Sequence, residues 1–125
     1  MQRFIRMLNI VTIVPSTWIL NYNSMIIYNV TIKVENTIAH QWLTWLKEEH
    51  IPDIIATGCF THATILHLLE ADDPEGITYA VQYHAESKAF YNRYIEIFSD
   101  EMRKKGMDKW GNKFIAFRSL MEVVH

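Results

Sequence analysis

The chain has 125 residues, half of them hydrophobic, so it is long and apolar enough to bury the core of one domain. Its 12 basic and 14 acidic residues give a net charge of −2, which offers no general argument for binding nucleic acid or an anionic membrane. The single cysteine, Cys59, excludes an intrachain disulfide and fits a protein of the reducing cytoplasm.

The first 24 residues differ from the rest of the chain. Arg3 and Arg6 precede an apolar stretch, as in a secretory signal, but Pro15 and several polar residues interrupt it and no small-residue cleavage site follows. The stretch is also too short and too polar to span a bilayer. Regular patterning begins abruptly at Met25, so we expect residues 1–24 to be an N-terminal extension, from upstream translation or as a disordered tail. Residues 25–125 then form the single domain.

Residues 25–35 open the patterned region as a strand, because β-branched residues dominate and apolar and polar side chains alternate. A helix follows, with Asn36 and Thr37 as its N-terminal cap. It is predicted to end near His50, since Pro52 disfavours helical conformation in the residue before it.

Two further strands are predicted at 59–70 and 76–85, joined by a turn rich in aspartate and proline. Ser87 is the expected cap of a second helix, which ends at Gly106 in a left-handed turn. Residues 113–124 alternate again and form the last strand. The resulting order predicts an α+β, ferredoxin-like βαββαβ domain, with two helices on one face of a four-stranded antiparallel sheet.

Because both predicted helices cover the same face of the sheet, the other face is left open. The alternating strands place enough apolar side chains on that face to make its exposure costly. A second copy of the chain is the simplest cover, so the sequence predicts a homodimer through the sheet face.

No motif of a catalytic or cofactor-binding class is present, and no cofactor is expected. The dinucleotide fingerprint and the serine nucleophile elbow are missing, and the glycine spacing at 106–111 lacks the lysine and following helix of a phosphate-binding loop. The six histidines show no metal-ligand spacing, so no metal site is expected. The basic residues around Trp110 are better explained by a solvated helix end than by RNA binding.

Glu49 and His50 end the first helix within the angular range of its apolar face. A histidine in an apolar pocket beside a carboxylate can act as an acid or a base near neutral pH. Three hypotheses stay open: a pocket for a small aromatic or carbonyl metabolite, an enzyme that uses His50 as acid or base, and a purely structural or interaction dimer. Other side chains are expected to converge on this helix end if their strand faces look toward the helices: Tyr28, Trp42, Tyr79, Tyr83 and Arg118.

Four segments resemble a family of short bacterial proteins, the domain of unknown function 4286. The segments are MIIYNVTIKVE, the run from Trp42 to Phe60 that contains WLKEEHIPD, ITYAVQY, and GNKFIAFRSLMEVV. The resemblance extends from Met25 to Val124 and implies that the domain starts at Met25. It implies no activity.

A broader resemblance is to dimeric α+β barrel proteins. In several of these, a histidine at the end of the first helix lines a cavity between helices and sheet in an H-x-P-D-like context, which residues 50–53 match. The resemblance therefore implies that His50 lies in a pocket, and it carries over no other residue. The group includes monooxygenases and cyclases that need no metal, degradative isomerases, and proteins without known activity, so the resemblance does not choose among them.

Overall fold

A computed structural model describes residues 24–125. The predicted N-terminal extension, residues 1–24, lies outside the described residues apart from Ser24, so that assignment stays a prediction. Within the described part, neither helix is long and apolar enough to cross a membrane. The strands there are β1 (Ile26–Glu35), β2 (His62–His67), β3 (Gly76–Ala85) and β4 (Phe114–Glu122).

The strands form one antiparallel sheet in the order β2-β3-β1-β4. β1 is central and pairs along its length with both neighbours, so that Val30 lies opposite Val81 of β3 and Arg118 of β4. The two helices connect β1 to β2 and β3 to β4. The ferredoxin-like arrangement predicted from the order of patterned segments is confirmed.

Each helix contains one π-helical turn between α-helical segments. The residues at the junctions keep right-handed helical dihedral angles, so each set of segments is one continuous helix. Helix α1 comprises Ala39–Trp45, the π turn Leu46–His50 and Ile51–Ile55, and helix α2 comprises Lys88–Arg93, the π turn Tyr94–Phe98 and Ser99–Trp110.

The predicted end of α1 near His50 is wrong, because the helix continues through Pro52 to Ile55. Pro52 falls in the first turn after the π turn, where a proline that lacks an N–H group is tolerated. The N–H of Ile51 spans the π turn and donates to the carbonyl of Leu46. Tertiary context thus overrides the local stop signal.

The predicted cap of α1 is also wrong. Its N-cap position is Ile38, and no side chain caps it. Asn36 instead donates from Nδ2 to the backbone carbonyls of Asp73 and Pro74, at 3.4 and 3.1 Å. The side chain that was expected to start the helix therefore ties the end of β1 to the turn before β3.

The predicted end of α2 at Gly106 is wrong as well. The helix continues to Trp110 and ends at Gly111, whose φ of +61° is the left-handed conformation that favours glycine. Gly106 lies buried inside the helix, close to Trp45 of α1 and Phe114 of β4. Ser87 does occupy the N-cap position of α2, without a side-chain hydrogen bond to the helix.

The side of the sheet away from the helices, called the open face below, carries both apolar and polar side chains. Phe117 is 68% exposed and Ile115 59%, and Leu66 and Met121 are exposed beside them. His62 and His84 stack at the outer edge of this face, with ring centroids 4.1 Å apart. A row of hydroxyl and amide side chains crosses its middle, from β2 to β4: Thr64, Gln82, Asn29 and Ser119.

Candidate functional site

A cavity of about 70 Å³ lies between the two helices and the inward face of the sheet. Its volume is about half of the roughly 150 Å³ that takes benzene in an engineered apolar cavity, so it admits a group of only a few non-hydrogen atoms. The wall is mostly aromatic and aliphatic. Polar side chains reach the cavity from both layers: His50, Arg103, Arg118, Tyr28, Tyr83 and Tyr94.

Five of the seven predicted site residues line this cavity together: His50, Tyr28, Trp42, Tyr83 and Arg118. They come from α1, β1, β3 and β4, so the fold brings together residues that are far apart in sequence. No group of three or more histidine, cysteine, aspartate or glutamate side chains that could hold a metal ion occurs in residues 24–125.

The other two predicted residues do not line the cavity. Glu49 is exposed and borders shallow depressions on the outside of α1, so the expected pairing of its carboxylate with the imidazole of His50 is absent from the cavity. The π turn rotates this part of the helix away from the orientation that regular α-helical spacing predicts. Tyr79 stacks on Trp42 with ring centroids 5.7 Å apart and lies behind the cavity wall.

His50 supplies an uncharged imidazole to the cavity. Its ring stacks on Trp45, with centroids 4.4 Å apart and planes at 19°. Burial lowers its pKa to about 4, against a raising effect of Asp53, and Lys105 lowers it further. The Nδ1 atom is buried and has no hydrogen-bond partner in the part of the chain that the structure describes. At neutral pH the ring therefore offers a free nitrogen and no charge.

Three tyrosines line the same cavity: Tyr28, Tyr83 and Tyr94. The ring of Tyr28 lies 6.1 Å from that of Tyr83 and 5.9 Å from that of Tyr94, between centroids. Burial raises the pKa of Tyr83 and of Tyr94 well above the usual range of a phenol. Both hydroxyls therefore stay protonated and can donate hydrogen bonds to a bound oxygen.

Two arginines form the mouth of the cavity. Arg103 of α2 and Arg118 of β4 line it and are both exposed, so the cavity wall reaches solvent at these two side chains. Arg103 donates from Nη2 to the hydroxyl of Tyr28 at 3.3 Å. Both guanidinium groups also lower the pKa of Tyr94 against the larger effect of burial, which indicates that they lie near the same hydroxyl.

Sequence reasoning missed most of the cavity lining, including the polar side chains of Tyr94 and Arg103 and the glycine at position 106. A helix that ends at Gly106, as predicted, has Arg103 in its last turn, where a basic side chain is usually solvated and suits the helix dipole. A second glycine at Gly111, followed by an asparagine, is an equally good stop signal in the sequence. Ending the helix there would have placed Arg103 and Gly106 in its interior.

The chain matches the family described as a domain of unknown function, DUF4286, over residues 25–124. It belongs to this family. The resemblance read from the four sequence segments is therefore confirmed, together with the extent assigned to it. No curated protein matches this chain in sequence.

Solved structures show the same fold at low sequence identity. A dimeric ferredoxin-like protein from an uncultured marine organism has a TM-score of 0.65 and 10% identity, covering 82% of this chain and 97% of its own. An EthD-like protein from Ralstonia eutropha has a TM-score of 0.60 and 13% identity, covering 83% and 96%. A variant of SnoaB, a cofactor-independent oxygenase from Streptomyces nogalater, has a TM-score of 0.58 and 10% identity, covering 82% and 95%. These likenesses establish the ferredoxin-like fold.

Proposed function

We propose that the cavity beside His50 binds a small metabolite that contains a carbonyl group. The volume of about 70 Å³ favours a carbonyl with a few neighbouring atoms over an aromatic ring system. The protonated hydroxyls of Tyr83 and Tyr94 supply donors for a carbonyl oxygen, and the apolar wall excludes competing water.

One observation carries this proposal: the buried Nδ1 atom of His50 has no partner among residues 24–125. A buried polar group without a hydrogen bond costs roughly 1–3 kcal/mol of stability. A ligand that supplies the missing hydrogen bond recovers that free energy on binding. His50 lines the aromatic cavity, so an unpartnered nitrogen on its ring is the property expected of a site that takes a polar ligand.

The test is a binding screen with short ketones, aldehydes, amides and oxo acids, followed by ligand-detected NMR and by thermal shift. Compounds that bind the wild type should bind His50→Ala about tenfold more weakly or worse, the loss expected for one buried hydrogen bond. His40→Ala is the matched control, because His40 is an exposed histidine on the same helix. Absence of binding by every compound class would contradict the proposal, as would equal binding by both variants.

A second candidate is proton transfer on the same ligand, with His50 as the acid or base. The specific observation that favours it is an uncharged imidazole in a cavity that tyrosines also line, whose hydroxyls could stabilise a developing oxyanion. A pKa of about 4 makes His50 a weak base, so binding ranks first. The same samples in D₂O separate the two: exchange of the hydrogens next to the carbonyl, lost in His50→Ala, is expected of the enzyme alone.

We further propose that two copies pair through the open face as a dimeric α+β barrel, in a bacterial cytoplasm. The exposed apolar side chains of that face support pairing, as does the description of the marine ferredoxin-like protein as dimeric. The free, buried thiol of Cys59 is compatible with a reducing compartment. A role confined to pairing, the third hypothesis, predicts no ligand in the screen.

A further inference from the structure

Two arginines of the cavity mouth have no acidic partner. Neither Arg103 nor Arg118 forms an ion pair within residues 24–125. Asp100, one turn earlier on α2, acts electrostatically on Arg103 without forming an ion pair with it. Two positive charges thus line the same cavity with only partial compensation, from Asp100, and an anion placed between them would relieve their repulsion.

The hydrogen bonds made by these side chains leave most of their donors free. The guanidinium of Arg103 donates one bond, to the hydroxyl of Tyr28, and that of Arg118 donates none to the described residues. A guanidinium carries five N–H donors in a planar fork that matches the two oxygens of a carboxylate. Unpaired cations are ordinary on a protein surface, but these two line one cavity, and both act electrostatically on the hydroxyl of Tyr94.

We propose that the ligand is a small carboxylate that also carries a carbonyl group, a short oxo acid. Its carboxylate lies at the mouth between Arg103 and Arg118, and its carbonyl end enters the cavity toward His50. The division of the site supports this orientation, because its charged groups lie at the solvent-exposed mouth whereas the interior offers only uncharged donors and acceptors. This inference rests on the proposed function and names the chemical class of its ligand.

The test compares pyruvate and its next homologues with their methyl esters, which keep the carbonyl and lose the charge. Titration calorimetry or NMR titration of the full chain should show the acids binding about tenfold more tightly than the esters or better. Raising the salt concentration should weaken binding of the acids and leave that of the esters unchanged.

Variants assign the difference to the two arginines. Arg103→Gln and Arg118→Gln should each weaken binding of the acids about tenfold and leave the esters unaffected. Arg93→Gln is the control, since Arg93 is an exposed arginine of the same helix that does not line the cavity. Arg118 is exposed and bears no hydrogen bond or ion pair to the described residues, so its variant carries the test if Arg103→Gln fails to fold.

The outcomes separate this inference from the proposed function. Esters that bind as tightly as the acids, with binding lost in His50→Ala and kept in both arginine variants, would overturn the carboxylate and leave the carbonyl site standing. Failure of acids and esters alike to bind, with no hit from the wider carbonyl screen, would overturn both.

Discussion

The imidazole of His50 connects the chemistry of the cavity to the stability of the fold. Burial lowers its pKa from 6.5 to about 4 in the folded chain, whereas the unfolded chain keeps the ordinary value. Between these two pH values the unfolded chain binds the proton more readily. The free energy of unfolding therefore falls as the pH is lowered from 6.5 toward 4, and this histidine has no effect on it above that window.

We predict that His50→Gln removes this part of the pH dependence. The histidine should account for a loss of roughly 3 kcal/mol in unfolding free energy at most, as the pH falls through the window. Urea denaturation at several pH values across the window measures it. His40→Gln, at an exposed position, should keep the wild-type slope.

Other groups do not obscure this comparison. His84 also has a lowered pKa, from burial and from His62, and it contributes a slope of the same sign to all three proteins. Equal slopes in wild type, His50→Gln and His40→Gln would show that His50 titrates like an exposed histidine.

At the scale of single residues, the sequence predicted the position of His50 correctly and that of its neighbour Glu49 incorrectly. An apolar helix face and the H-x-P-D context were enough to direct His50 toward the sheet. The same angular argument placed Glu49 beside it, but Glu49 is exposed. A π turn has no recognisable sequence pattern, so an analysis at 100° per residue could not separate these two neighbours.

At the scale of the helices, element order was predictable and helix ends were not. Alternation in β1 and the turn between β2 and β3 are local properties, and they specified the order of the strands along the chain correctly. Pro52 and Gly106 carry stop signals that tertiary packing overrides, in one case through a π turn and in the other through contact of α2 with Trp45 and Phe114. That packing is invisible in a single sequence.

Gly106 gives a prediction at this scale. It lies in the interior of α2, where glycine is less stable than alanine by roughly 0.5–1 kcal/mol. A Cβ atom there would lie 3.7 Å from Cη2 of Trp45 and 3.9 Å from Cζ of Phe114, which are ordinary contacts. Gly106→Ala should therefore raise the unfolding free energy by about that amount.

The same substitution should weaken ligand binding. Gly106 lines the cavity, so an added methyl group takes space from a volume of only about 70 Å³. Urea denaturation and titration with the best carbonyl compound, on the same preparation, test both effects. A less stable variant would show that α2 requires glycine for packing, and unchanged binding would place the ligand away from this wall.

At the scale of the whole molecule, the sheet separates two surfaces of different character. The covered face holds the core and the cavity, and the open face exposes large apolar side chains such as Phe117 and Ile115. Proteins that stay monomeric rarely leave such side chains clustered and uncovered. The prediction of a homodimer through the open face follows from this asymmetry.

We predict that Phe117→Glu yields a folded monomer, because a carboxylate buried within a paired face is unfavourable whereas a lone subunit leaves it in water. Light scattering and sedimentation should find the wild type at twice the 14.8 kDa mass of the chain and this variant at the single mass. Ile97 is 60% exposed on α2, away from the open face, so Ile97→Glu should stay dimeric. A wild type that is monomeric at every practical concentration would refute pairing.

Because the sheet stands between the cavity and the open face, all groups that form the site belong to a single chain. Pairing through the open face would turn the two sites outward, on opposite flanks of the assembly, with a double layer of strands between them. We expect sites that share no residues to fill independently, with saturation that follows a simple hyperbola, one ligand per chain and a Hill coefficient near one. Dilution that separates the subunits would leave the affinity of each unaltered.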